Sequence, residues 1–155
     1  MLPMKELSGL LENNSCKNVQ TYIQSGNVVF QSTRNPVMKI TISIEQKYNF
    51  KPEIILLEKM EFLQSVKDNP YSSTNGKDIH FYFCNTTPQP NLKRLEELKV
   101  NSEKYSIKAR VFYLYAPDGI GKSRLAVNIE KCLAVSATGR NLNTVNKLVE
   151  MVQNT

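Results

Sequence analysis

Residues 116–123, Ala-Pro-Asp-Gly-Ile-Gly-Lys-Ser, carry the strongest chemical suggestion in this chain. They fit the relaxed phosphate-binding loop [A/G]-x4-G-K-[S/T], set between an apolar strand-like run and the start of a helical pattern. In that chemistry, backbone N–H groups around Gly119 and Gly121 cradle a phosphate, Lys122 neutralises it and Ser123 holds Mg²⁺. Three features oppose a nucleoside triphosphatase. Ala116 replaces the first glycine, and Pro117 removes a backbone donor. After Ser123 only 32 residues follow, with no apolar strand ending in an Asp for the metal. Two readings stay open: weak anion binding at this helix start, or a plain strand-to-helix turn with Ser123 at the cap.

A second polar helix start runs from Thr138 to Thr144. Arg140 stands where an oxyanion would be held, and Asn141 or Asn143 can accept a backbone N–H bond, with Thr144 in the first turn. Capping alone is the alternative. A third polar group, Gln24, Ser25 and Asn27, sits around Gly26 between two β-rich runs. Together these residues form the candidate site: Gly119, Gly121, Lys122, Ser123, Arg140, Asn141, Asn143 and Thr144 for an anion, with Gln24, Ser25 and Asn27 as further polar ligands.

Other chemistry is excluded by counting. The chain has one histidine, His80, so it cannot build a multi-histidine metal site. Cys16, Cys84 and Cys132 contain no C-x-x-C pair, so neither a zinc cluster nor a disulfide framework is written here. No metal and no cofactor is expected. His80 and Cys84 are four residues apart on one strand, roughly 13 Å at strand rise, too far for a dyad. His80 therefore reads as structural or exposed. The aromatic runs at 81–83 and 112–115 match no RNA-binding signature and read as core.

These candidates sit in an ordinary globular composition: 155 residues, 41% hydrophobic and 22% charged. The net charge is +6, and residues 101–155 carry eight basic against four acidic side chains, so +4 belongs to the C-terminal third. A basic surface there attracts phosphate-bearing partners, or simply keeps the protein soluble. No apolar window is long enough to span a membrane and no signal peptide is evident at the start; with unpaired cysteines, the reading is cytoplasmic.

The elements that must position the candidates follow from periodicity. Pro3 and Leu7, Leu10 and Leu11 predict a first helix closing near Asn13-Asn14. Val19–Phe30 is extended, with a bend at Gly26 or Asn27. Residues 36–48 fit both a strand (Ile40, Ile42, Ile44) and a helix (Val37, Ile40, Ile44, Tyr48); length and Pro36 favour helix. Ile54–Leu57 reads as a strand, 62–66 as a short helix, and the polar 71–77 as a boundary. Strands at 79–84, 103–108 and 110–116, helices from Pro90 and Ser123, a short piece near 138, and a last helix at 142–153 complete the string. The whole is α+β. Residues 1–70 form a β-α-β-β-α-β unit lacking its first strand, and 78–155 form a second such unit plus a C-terminal helix.

Three stretches carry a family resemblance. Pro3–Leu7 with Val19–Phe30 (VQTYIQSGNVVF), Tyr115–Ser123 (YAPDGIGKS) and Ala137–Leu148 (ATGRNLNTVNKL) resemble, in order, signatures of the bacterial family called domain of unknown function 1697. The resemblance implies an α+β fold of two ferredoxin-like halves sharing a core, and no known activity. It also implies a leading strand with an Arg-Gly-Ile-Asn-Val-Gly-Gly turn, which this chain starts just after. Family members often carry Arg where Lys122 stands and Trp where Leu142 stands.

The leading functional expectation is a small binding module for an anionic, phosphate-bearing ligand such as a nucleotide or nucleic acid. An enzyme acting on a phosphorylated or carboxylated small molecule is the alternative. A third is a protein–protein module, or a homo-oligomer, using the sheet edge that a missing first strand leaves open. What separates these is whether the three polar groups meet in space.

Overall fold

The computed structural model describes residues 2–22 and 26–155. Among them are seven helices and two antiparallel sheets, a mixed α+β fold. Contacts divide the chain into two units, Met1–Ile54 with Lys147–Thr155, and Ile55–Asn146. The division falls after Ile54 and not in the polar stretch 71–77, and the tail from Lys147 belongs with the first unit.

In the first unit, α1 (Met4–Asn13) begins behind Pro3, whose extended backbone serves as the N-cap. A hairpin follows, β1 (Lys17–Tyr22) against β2 (Asn27–Gln31), with Tyr22 opposite Asn27. Gly26 takes φ +91°, a left-handed value that L-residues with a Cβ rarely adopt. Residues 36–48 resolve as helix: α2 (Val37–Tyr48) buries Ile40 and Ile44 one turn apart, while Ile42 points outward. Leu11, Cys16, Ile40 and Ile44 form the core, with Leu7, Val19, Val28 and Phe30 packed on it. A 2.6 Å ion pair between Lys47 and Glu6 joins α2 to α1 at the surface.

The strand expected at Ile54–Leu57 is absent. These residues pair with no neighbouring strand, and the Leu56 carbonyl accepts instead from Arg110 Nη2 at 3.1 Å. An apolar run signals burial, and without a ladder partner it does not become a strand. The first unit therefore has two strands among the described residues.

The second unit is built on a four-stranded antiparallel sheet, β3 (Ile79–Cys84), β4 (Lys104–Lys108), β5 (Val111–Tyr115) and β6 (Ala137–Asn141), in the order β4-β5-β3-β6. Its helices are α3 (Lys59–Lys67), α4 (Leu92–Leu98), α5 (Arg124–Val127) and α6 (Ile129–Leu133). Alternation divides the strand side chains between two faces. Cys84, Phe112, Leu114 and Ala116 form one core with Leu95 and Leu98 of α4, Leu125 of α5, and Ile129, Cys132 and Leu133 of α6. On the opposite face Tyr113 donates its hydroxyl to the Ser65 carbonyl of α3 at 2.6 Å, and Phe83 meets Phe62 at 6.0 Å. The helix predicted from Ser123 is two pieces, α5 and α6, broken at Asn128. The last helix, α7 (Leu142–Gln153), begins in this unit and ends in the other.

Candidate functional site

The second unit holds an open cleft of about 380 Å³ at one end of its sheet. Three chain segments line it: Asn75, Lys77, Asp78 and His80 entering β3; Pro117, Asp118, Gly119 and Ile120 leaving β5; and Asn141 at the junction of β6 with α7. They converge because β3 is central. His80 lies opposite Leu114 of β5 on one side and opposite Asn141 of β6 on the other.

The first wall is a turn closed by its own side chains. Asn75 Oδ1 accepts from the Lys77 N–H at 3.0 Å, and Ser73 Oγ donates to Asp78 Oδ2 at 2.7 Å. Gly76 packs closely against Asn143. A Cβ there would lie 2.1 Å from Asn143 Oδ1 and 3.2 Å from the Asn143 backbone nitrogen. Asn143 is thus the neighbour that closes the turn against the start of α7, and its side chain is otherwise exposed.

The second wall is the loop 116–123. Gly119 holds φ +104° in open space, a strained position for any side chain. Its N–H donates to the Ala116 carbonyl, that of Lys122 to Gly119, and that of Ser123 to Ile120. These three donors are turned inward onto the loop's own carbonyls and are not free to cradle a phosphate. Ser123 is buried: its hydroxyl accepts from the Ala126 N–H as the cap of α5 and donates to Glu103 Oε2. Glu103, itself 3% exposed, takes the Val100 N–H on its other oxygen at 3.0 Å. Asp118 accepts from the Ser102 hydroxyl, a second tie from the same segment. Lys122 and Gly121 are exposed and do not line the cleft.

At the third wall, Asn141 Oδ1 accepts the Thr144 N–H at 3.0 Å and caps α7. Thr144 therefore serves the helix end. Arg140, adjacent in sequence, faces the other side of the sheet, opposite Phe81, with Nη1 on Thr138 Oγ1 at 2.7 Å and on the Gly139 carbonyl at 2.8 Å. Burial pulls its pKa below the ordinary arginine value.

Of the eight residues expected to hold an anion, the cleft therefore gathers Gly119 and Asn141. Asn27 belongs to the other unit, where its amide donates to the Tyr22 carbonyl at 3.1 Å and closes the hairpin. Gln24 and Ser25 lie outside the described residues. Sequence reasoning missed Asn75, Lys77, Asp78, His80 and Asp118. A signal was present, since the polar stretch 71–78 runs directly into the chain's one histidine.

Electrostatically the cleft is mixed, one cation (Lys77) facing two carboxylates (Asp78 and Asp118). Burial holds His80 below its ordinary pKa, against an upward pull from Asp78. The ring is therefore neutral at pH 7, and its Nδ1 is buried with no hydrogen-bond partner among the described residues. No group of three or more His, Cys, Asp or Glu side chains among the described residues could hold a metal ion. No helix of the described residues is long and apolar enough to cross a membrane.

Among solved structures, the conserved bacterial protein SP0830 from Streptococcus pneumoniae is similar, with a TM-score of 0.70 at 21% identity. The match covers 98% of this chain and 89% of that one. That likeness is one of fold. No curated protein matches the chain. The family described as "Protein of unknown function (DUF1697)" matches residues 1–113, well over half of the sequence, and the chain belongs to that family.

Proposed function

We propose that the protein is a binding module for a small hydroxyl-rich phosphate monoester, a nucleoside monophosphate being the simplest ligand that fits. The observation that carries this reading is that one cleft gathers Lys77, a neutral His80 and Asn141 beside two carboxylates. Lys77 enters no ion pair among the described residues and is available to one phosphate. Asp78 and Asp118 each have a hydroxyl donor already and can accept from the paired hydroxyls of a sugar. Two carboxylates against one lysine disfavour a triphosphate or a nucleic-acid backbone, which need several cations.

The frame of this site is, in the same reading, a ferredoxin-like unit over Ile55–Asn146. Support comes from the β-α-β-β-α-β element order, with α5 and α6 standing as one interrupted helix, and from the strand order β4-β5-β3-β6 with α4, α5 and α6 on one face.

Calorimetric titration with adenosine 5′-monophosphate, adenosine and inorganic phosphate at low salt tests the proposal. The monophosphate should bind best, and Lys77→Ala should weaken it at least about tenfold, the worth of a charge-assisted hydrogen bond. Lys122→Ala should leave it unchanged. Equal loss from both variants, or no binding of any probe, overturns the reading.

A further inference from the structure

We propose that His80 is a fixed-tautomer hydrogen-bond donor, presenting Nε2–H to an acceptor oxygen of the ligand in the cleft. The inference rests on the cleft being a ligand site and adds which atom of the ligand His80 recognises.

The argument starts from the two ring nitrogens. Nδ1 is shut away from solvent and has no partner among the described residues, whereas the ring itself lines the cleft. Nε2 is thus the nitrogen on the cleft side. A neutral imidazole must put its one hydrogen on one of the two. On Nδ1 that hydrogen would be a buried donor with nothing to accept it, among the costlier arrangements in a protein interior. On Nε2 it faces the cleft, and Nδ1 keeps only a lone pair. Protonating both would bury a charged donor, which the ring's enclosure disfavours.

Surrounding groups leave this assignment in place. Lys77 and Asp78 flank the ring on the entry to β3, and Asp118 faces the cleft from the loop after β5. Asn141, directly across on β6, has its oxygen engaged by Thr144. Tyr82, two residues on and on the same face, lies against the ring with centroids 6.4 Å apart. None of them provides an acceptor that reaches Nδ1. The cleft therefore offers two donors to an anionic oxygen, Lys77 and His80 Nε2–H. A ligand lacking an acceptor at that position leaves the donor unpaired, which is a strong basis for rejection.

Nitrogen-15 NMR of the imidazole, with adenosine 5′-monophosphate and adenosine as probes, decides the matter. At pH 7 the free protein should show a neutral ring protonated on Nε2, and the monophosphate should shift Nε2 while adenosine should not. His80→Gln places an amide donor near the Nε2 position and should keep affinity for the monophosphate within about threefold. His80→Phe should lose at least about tenfold. A ring protonated on Nδ1, or on both nitrogens, overturns the inference whatever the ligand does. Monophosphate binding that leaves Nε2 unshifted overturns it while sparing the cleft. No probe binding at all removes the cleft reading, and the inference with it.

Discussion

Ser123 gives its hydroxyl hydrogen to the buried carboxylate of Glu103, a residue 20 positions upstream. The same hydroxyl accepts the Ala126 N–H, so one side chain caps α5 and anchors the loop that walls the cleft. Its motif position suggests a metal ligand, and its contacts make it an internal strut.

Ser123→Ala should therefore destabilise the fold by about 1–3 kcal/mol, through the lost cap and the stranded Glu103 oxygen. Glu103→Gln should cost less. Its amide can donate to Ser123 Oγ and still accept from the Val100 N–H. Urea denaturation checks both; an alanine variant within about 0.5 kcal/mol of the parent would show that the strut carries no weight.

Gly139 has no room for a side chain. A Cβ there would come 2.7 Å from Tyr82 Cε1 and 3.1 Å from Cδ1. Tyr82 packs edge-on against Phe112 at 6.1 Å and cannot swing away freely. Gly139→Ala should cost about 1–3 kcal/mol, the usual penalty for overpacking. Gly139→Ala combined with Tyr82→Leu should recover part of it, read as a non-additive double-mutant cycle.

Arg110 ties four points of the second unit together. Nε and Nη2 grip the Glu61 carboxylate at 3.0 Å, Nη1 donates to the Cys84 and Asn85 carbonyls, and Nη2 reaches the Leu56 carbonyl. Lysine keeps the charge but lacks the planar fork. Arg110→Lys should lose about 1–3 kcal/mol in thermal or chemical unfolding. A lysine variant as stable as the parent would mean that charge alone matters there.

Acidification should weaken the fold through His80. Its pKa is lowered in the folded state by burial, from an ordinary 6.5, so the unfolded chain binds the proton more readily. The contribution is complete above 6.5 and is lost as pH falls through the folded value. His80→Phe should flatten stability against pH in that window. Asp68, lowered by its bonds to Gln64 and Lys108, acts only in the more acid carboxylate range. Identical profiles for parent and variant between pH 7 and 5 would remove His80 from the account.

The thiols should be nearly inert. Cys16, Cys84 and Cys132 are free and buried, and burial pushes Cys84 up to about 11. A thiol reagent at neutral pH should react slowly with the native protein and with three thiols on unfolding. Prompt native-state labelling of Cys84 would contradict its enclosure.

How much of this was legible in the sequence depended on the kind of signal. The helix at Leu142–Gln153 follows from Leu142, Val145, Leu148, Val149 and Val152, because periodicity is a local property. The hairpin bend at Gly26 was legible for the same reason. Ile54–Leu57 was misread, since apolar content reports burial and says nothing of a pairing partner. The helix after Ser123 breaks where the Asn128 amide bonds the Arg124 carbonyl at 2.7 Å, a side-chain competition that apolar spacing does not encode.

The lining of the cleft is legible only in part. Gly119 and Asn141 were singled out, but Arg140 was grouped with Asn141 although a strand sends neighbours to opposite faces. The stretch 71–77 reads as a boundary because it is polar. Only the sheet order, which places β3 between β5 and β6, brings that stretch beside the loop after β5.

The inward-turned N–H groups of the 116–123 loop bear on how a ligand would arrive. With the Gly119, Lys122 and Ser123 N–H groups matched within the loop, that part of the wall is held before any encounter, so association orders little of it. Complexes at such a wall should form with nearly unchanged order at the Gly119, Lys122 and Ser123 amides.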